Sequence, residues 1–217
     1  MEKLVLGDRK RIIINPVEPL NTPKEITPNL LIEFEKTLLL AGGGEKRQIF
    51  LTFPVEIGVF ISDIGDKNPQ LIDVLSLSRQ KFTLYGGEVS NGVVCKHWKS
   101  RLYSVSPDLN PLQEGGVMEL TLRNASSEWA SISKAVFSAY GMKLYYDGDV
   151  FMKARMEILN RNTAETGFDM QPVNGEMKGY LVKDQKIRKE AFGVYSLRKL
   201  GFVPLKFYMG GGDFDSS

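Results

Sequence analysis

The chain has 217 residues, 42% of them hydrophobic and 25% charged, with a formal net charge of +2. That composition excludes a fibrous or wholly disordered chain and leaves enough apolar material for one sizeable core. A single histidine, His97, and a single cysteine, Cys95, exclude within one subunit most constellations that move protons near neutral pH, attack as nucleophiles or ligate soft metals.

Residues 1–27 read as an extended N-terminal arm. Pro16, Pro19 and Pro23 are too closely spaced for a helix and too frequent for a central strand, and Arg11–Ile14 is the best strand candidate within the arm. The terminus is charged from Glu2 and has no apolar core of a secretory signal. No stretch approaches the roughly 18–20 apolar residues of a membrane-spanning helix, so there is no transmembrane segment. With a lone cysteine unable to form an internal disulfide, the expected compartment is cytoplasmic or nuclear rather than secreted.

A single α+β domain is expected over 28–209. Thr27-Pro28 resembles a helix start, and Leu30, Leu31, Phe34 and Leu38 recur at helical spacing before Gly42, which predicts a helix over 28–41. Gly42-Gly43-Gly44 fails as a phosphate loop, because it follows a helix-like segment and lacks the closing lysine-Ser/Thr; helix termination or a hinge explains it. From 48 to 123 short apolar or alternating runs predict strands at Gln48–Phe53, Val55–Ile61, Leu71–Leu77, Lys81–Tyr85, Gly92–Val105 and Val117–Arg123. A second helix is expected over 127–140, capped by Ser126 or Ser127, with Trp129, Ile132, Val136 and Tyr140 as its apolar stripe.

Met142–Tyr146 and Asp149–Leu159 flank Asp147-Gly148 and predict a β-hairpin with a two-residue turn. Residues 160–178 read as a long polar loop, Gly179–Lys183 as a strand, 184–200 as a basic helix and Phe202–Met209 as a closing strand. Residues 210–217 form a glycine-rich acidic tail. The expected architecture is mainly antiparallel β with three helices, since strands and helices do not alternate as in a doubly wound fold.

Carboxylates at Asp63, Asp66, Asp73, Asp147 and Asp149 suit turn chemistry better than a metal or phosphoryl-transfer site, because no spacing among them matches a ligand pattern. Cys95 and His97, two apart on a strand, stand too far apart for a dyad, so Cys95 reads as a small buried residue.

Charge is unevenly spread. Residues 181–209 hold seven cations against two carboxylates, a local excess of +5 in a chain of +2. Two segments concentrate cations with aromatics. Lys96, His97, Trp98, Lys99, Arg101 and Tyr103 form one, on a strand; Lys186, Arg188, Lys189, Arg198 and Lys199 form the other, on the basic helix. Cationic strands beside aromatics hold single-stranded nucleic acid through phosphate pairing and base stacking. A solvated strand face and an ordinary amphipathic helix explain the same residues. The functional expectation is a non-enzymatic protein that binds RNA, single-stranded DNA or another polyanion, with an anionic membrane surface as a further partner class. A self-assembling, homo-oligomeric structural or movement protein of viral type belongs to the same reading. The alternative is a carboxylate- and metal-dependent phosphoryl-transfer hydrolase. No motif assigns a catalytic residue, a metal ligand or a cofactor.

Overall fold

The computed structural model describes residues 10–19, 26–63, 69–86, 92–109, 115–169, 171, 178–180 and 205–208. The described residues are nearly all β, 68% in strands and 2% helical, and include a half-barrel. The α+β expectation with three helices is therefore overturned.

The strands are β1 (Lys10–Val17), β2 (Asn29–Leu40), β3 (Lys46–Phe53), β4 (Glu56–Asp63), β5 (Gln70–Ser76), β6 (Phe82–Tyr85), β7 (Val93–Ser100), β8 (Gly116–Asn124) and β9 (Ala130–Ser138). They continue with β10 (Leu144–Asp147), β11 (Asp149–Asn160), β12 (Thr163–Asp169), β13 (Lys178–Tyr180) and β14 (Leu205–Tyr208). A single 3-10 turn at Ala139–Gly141 is the only helical piece among the described residues.

Three sheets result. Sheet A has the order β1-β4-β5, and sheet B the order β6-β7-β2-β9. Sheet C is built around β11, which pairs antiparallel with β12 on one side. On that same side β10 lies beside its first residues, and on the other side lies parallel β8, which carries β3. Most pairings are antiparallel; β2–β7 and β8–β11 are parallel. Sheets B and C enclose the main core, in which Leu30, Ile32, Leu51, Phe53, Met118, Leu120, Phe137 and Met152 are at most 1% exposed. Sheet A covers a smaller core of Val17 and Phe60.

The segment expected as a helix over 28–41 is strand β2. Leu30, Leu31 and Ile32 are all buried, because this inner strand of sheet B is covered on both faces. Such a strand loses the alternation that identifies a half-buried one. An irregularity between Glu33 and Leu38 then shifts the register, so the leucines fall by coincidence at helical spacing. The second expected helix is β9. Ala130 and Ile132 alternate with exposed Ser131 and Ser133, but Ala135, Val136 and Phe137 are buried together. Trp129, expected on an apolar stripe, is instead 69% exposed.

Residues 163–169, expected in a polar loop, form β12, turned back along β11 by Arg161-Asn162. The Asp-Gly hairpin forms, but Tyr146 faces Val150 and Asp147 faces Asp149. Gly148 alone thus makes the reversal at φ +78°, one residue away from the two-residue turn expected. The alternation of Val150, Met152, Ala154, Met156 and Ile158 toward the core is as read. The expected helix over 184–200 lies outside the described residues.

The three glycines after β2 form the β2–β3 turn rather than a helix stop. Gly43 and Gly44 take φ of +82° and +90° and donate backbone bonds to Ser126 and Asn124 carbonyls. A Cβ on Gly42 would lie 2.3 Å from the Ser127 carbonyl carbon. Asn124 organises this end of the molecule. It is fully buried; its Nδ2 donates to the Leu40 and Glu128 carbonyls at 3.1 and 2.8 Å, and its Oδ1 accepts from Ser126 N and Oγ at 3.1 and 2.7 Å. Asn124→Ala strands several buried polar groups, each worth about 1–3 kcal/mol. Urea unfolding of this variant is expected to show a loss of about 3 kcal/mol; a loss below 1 kcal/mol would contradict this role.

Candidate functional site

Strand β7 carries the first cationic segment, and period-two alternation divides its side chains between two faces. Lys96, Trp98 and Ser100 turn toward β3 and β4; His97, Lys99 and Arg101 turn the other way. The inward set is fixed by hydrogen bonds. Ser100 Oγ accepts from Thr52 N at 2.7 Å, and Trp98 Nε1 donates to Thr52 Oγ1 at 2.9 Å. The indole is thereby held against β3, which is a packing role rather than an open stacking platform.

Lys96 and Glu56 form the most deeply placed ion pair among the described residues. Nζ lies 2.7 Å from Oε1, with side-chain exposures of 8% and 0%. Glu56 opens β4 of sheet A, three residues beyond the end of β3, and Lys96 belongs to sheet B. The pair therefore clamps the small sheet to the sandwich. Breaking a buried pair from one side leaves an uncompensated charge and costs about 3–5 kcal/mol.

On the outer face, β2 supplies carboxylates. His97 Nε2 lies 2.8 Å from Glu33 Oε2, and Arg101 Nε lies 3.7 Å from Glu35 Oε2. Lys99 is exposed and stands opposite Glu33 in the parallel register. Glu33 and Glu35 went unnoticed in the sequence because their segment reads as a helix; their alternation around Phe34 was the available signal. Tyr103 bridges β3 through its backbone, with Phe50 N donating to its carbonyl at 2.9 Å and its own N–H returning to Phe50 O at 3.0 Å. The six candidates near residue 100 thus divide over two faces, five of them paired with carboxylates or fastened by hydrogen bonds. Lys186, Arg188, Lys189, Arg198 and Lys199 lie outside the described residues.

Cys95 is buried, and burial raises its thiol from 9.0 to about 11. It is therefore protonated and inert at neutral pH, and His97 engages Glu33 instead of the thiol. Among the acidic residues, Asp63 pairs with Lys10 at 2.5 Å and Asp73 Oδ1 accepts from Val74 N at 2.9 Å. Asp66 lies outside the described residues. Among the described residues no group of three His, Cys, Asp or Glu side chains converges as a metal site would require.

The inward face of β7 opens into a shallow depression between sheets A and B. Glu56, Lys96 and Trp98 line it, and the link from β5 to β6 supplies Arg79, Gln80 and Lys81. The link is held in place by His97 N, which donates to Lys81 O at 2.8 Å, and by Ser76 Oγ, which donates to Ser78 O at 3.0 Å. Arg79 and Lys81 are exposed and have no carboxylate within ion-pair distance among the described residues. Gln80 Oε1 is buried with no hydrogen-bond partner among the described residues. Sequence reasoning missed this trio, since Arg79-Gln80-Lys81 is a short polar link at the junction of two expected strands; its placement on Lys96 is a product of the fold.

A family model described as a protein of unknown function (DUF432) matches residues 1–196, and the chain belongs to that family. No curated protein and no solved structure matches the chain.

Lys96→Met is expected to lower stability in urea unfolding by about 3–5 kcal/mol, whereas Lys96→Met/Glu56→Leu recovers most of that loss. Additive losses in the double variant would show that the two groups do not act as a pair.

Proposed function

We propose that this DUF432 member is a non-catalytic binding protein that holds an anionic group in the depression between sheets A and B. The observation that carries the reading is the pair Arg79 and Lys81, exposed at the rim with no carboxylate within ion-pair distance among the described residues, above a floor where Lys96 is already neutralised by Glu56. Arginine and lysine in such a setting suit phosphate and carboxylate oxygens, the guanidinium through its fixed fork and the ammonium as a compact charge.

Size supports a headgroup rather than a whole metabolite. The depression's enclosed space is about 10 Å³, room for roughly one water-sized group and far below the roughly 300–1,000 Å³ of pockets that engulf small molecules. The partner is then a larger polyanion, of which one group enters the depression while the rest lies on the surface. Nucleic acid supplies such a group as phosphate and an acidic polypeptide supplies it as carboxylate. The outer face of sheet B favours the depression over itself as the binding surface, because Glu33 and Glu35 interleave with its cations.

Titration of the full chain with inorganic phosphate and with oligo-dT is expected to reveal binding. The oligonucleotide's affinity falls about tenfold between 50 and 200 mM salt if two or three cations engage one strand. Arg79→Glu/Lys81→Glu removes that binding with little change in the unfolding midpoint, as both side chains are exposed. Binding that is insensitive to salt, or undiminished in the charge-reversed variant, would contradict the proposal.

A further inference from the structure

The depression continues onto an open sheet edge. Strand β6 is the terminal strand of sheet B, so one side of its backbone has no strand partner among the described residues. Which groups face outward follows from one hydrogen bond. His97 N donates to Lys81 O, and the register sets Phe82 opposite Lys96, Thr83 opposite Cys95 and Leu84 opposite Val94. In an antiparallel pair, residues exchanging ladder bonds alternate with residues whose N–H and C=O point away. Lys81, Thr83 and Tyr85 therefore face β7, and Phe82 and Leu84 present their N–H and C=O groups to the open side.

The side chains of that edge are apolar and lie on the face of the depression. Residues opposite one another share a face, so Phe82, Leu84 and Val94 lie on the side of Lys96; they are 39%, 54% and 39% exposed. An exposed apolar edge strand is a template for pairing unless charge or proline blunts it. Here Arg79 and Lys81 stand at its entrance rather than along it.

From this juxtaposition we propose that β6 is the docking edge for an extended acidic polypeptide segment. The segment adds as a further strand of sheet B and places a carboxylate between Arg79 and Lys81. The inference rests on the anion-binding reading above and identifies the carrier of the anion as polypeptide. Three observations favour polypeptide over nucleic acid. Outward N–H and C=O groups at alternate residues match a strand's backbone. The apolar row fits alternate side chains of such a strand. Gln80 Oε1, buried without a partner among the described residues, accepts a hydrogen bond that a peptide N–H supplies and a bare phosphate does not.

The test pans a phage-displayed library of random dodecapeptides against the immobilised full chain, then measures synthetic peptides from the enriched clones by fluorescence anisotropy. Enriched sequences are expected to alternate apolar residues and to carry Asp or Glu. Leu84→Pro, which removes an outward N–H without touching the β7 ladder, weakens binding at least tenfold, whereas Leu84→Val stays within twofold. N-methylation of alternate peptide residues weakens binding equally and needs no variant protein. Absence of enrichment, or affinity unaffected by Leu84→Pro and by N-methylation, overturns the inference. If phosphate and oligo-dT bind through Arg79 and Lys81 with no loss in Leu84→Pro, and no peptide is enriched, the anion-binding reading stands and the polypeptide inference falls. Peptide binding indifferent to Arg79→Glu/Lys81→Glu overturns the carboxylate placement.

Discussion

The contact between Lys96 and Glu56 is the constraint on which the rest of the structure depends. Removing two charges from water is costly, and their attraction offsets that cost only when geometry and further hydrogen bonds are good. At 2.7 Å, with both side chains nearly inaccessible, the geometry is good. The pair joins sheets that otherwise share little. Sheet A has only a small core at Val17 and Phe60, too few side chains to hold three strands in place by apolar burial alone at roughly 1.5–3 kcal/mol each. Ionic anchoring also fixes direction, because Glu56 meets Lys96 in one register only. A wall of sheet A and a wall of sheet B thereby meet to form the depression.

Function follows from where charge is left over. On the described surface several cations face a carboxylate, as Arg123 faces Glu157 at 2.8 Å and Arg155 faces Asp169 at 2.8 Å. Such exposed pairs contribute little to stability, but they cancel the field through which a polyanion would be attracted. Arg79 and Lys81 are among the cations without such a partner among the described residues, and both line the depression. Their position beside the buried pair concentrates positive potential in a concave, partly desolvated place, where charge acts more strongly than on an open face.

What was legible in the sequence was the half-buried strand. Met118, Leu120 and Leu122 alternate with Glu119, Thr121 and Arg123, and they fold as they read. The same holds for β11 and for the buried Cys95, and the Asp-Gly hairpin forms with its turn one residue from the expected place. Doubly covered strands were illegible. Leu30-Leu31-Ile32 and Ala135-Val136-Phe137 bury both faces, which erases the period of two and leaves a pattern that a helix template accepts. The candidate site was legible in part. Lys96 and Trp98 were singled out, but alternation set them on a different face from Lys99 and Arg101. Their partners, Glu56, Thr52 and the Arg79–Lys81 link, come from segments that no local pattern connects.

The most direct test of the central claim is amide hydrogen exchange of Lys96→Met compared with the natural chain. Loss of the pair is expected to lower protection in β1 and β4 at least tenfold while β8 and β11 keep theirs, because sheet A then opens as a separate unit. Protection that falls uniformly through all sheets, or that stays unchanged in β4, would contradict the anchoring role.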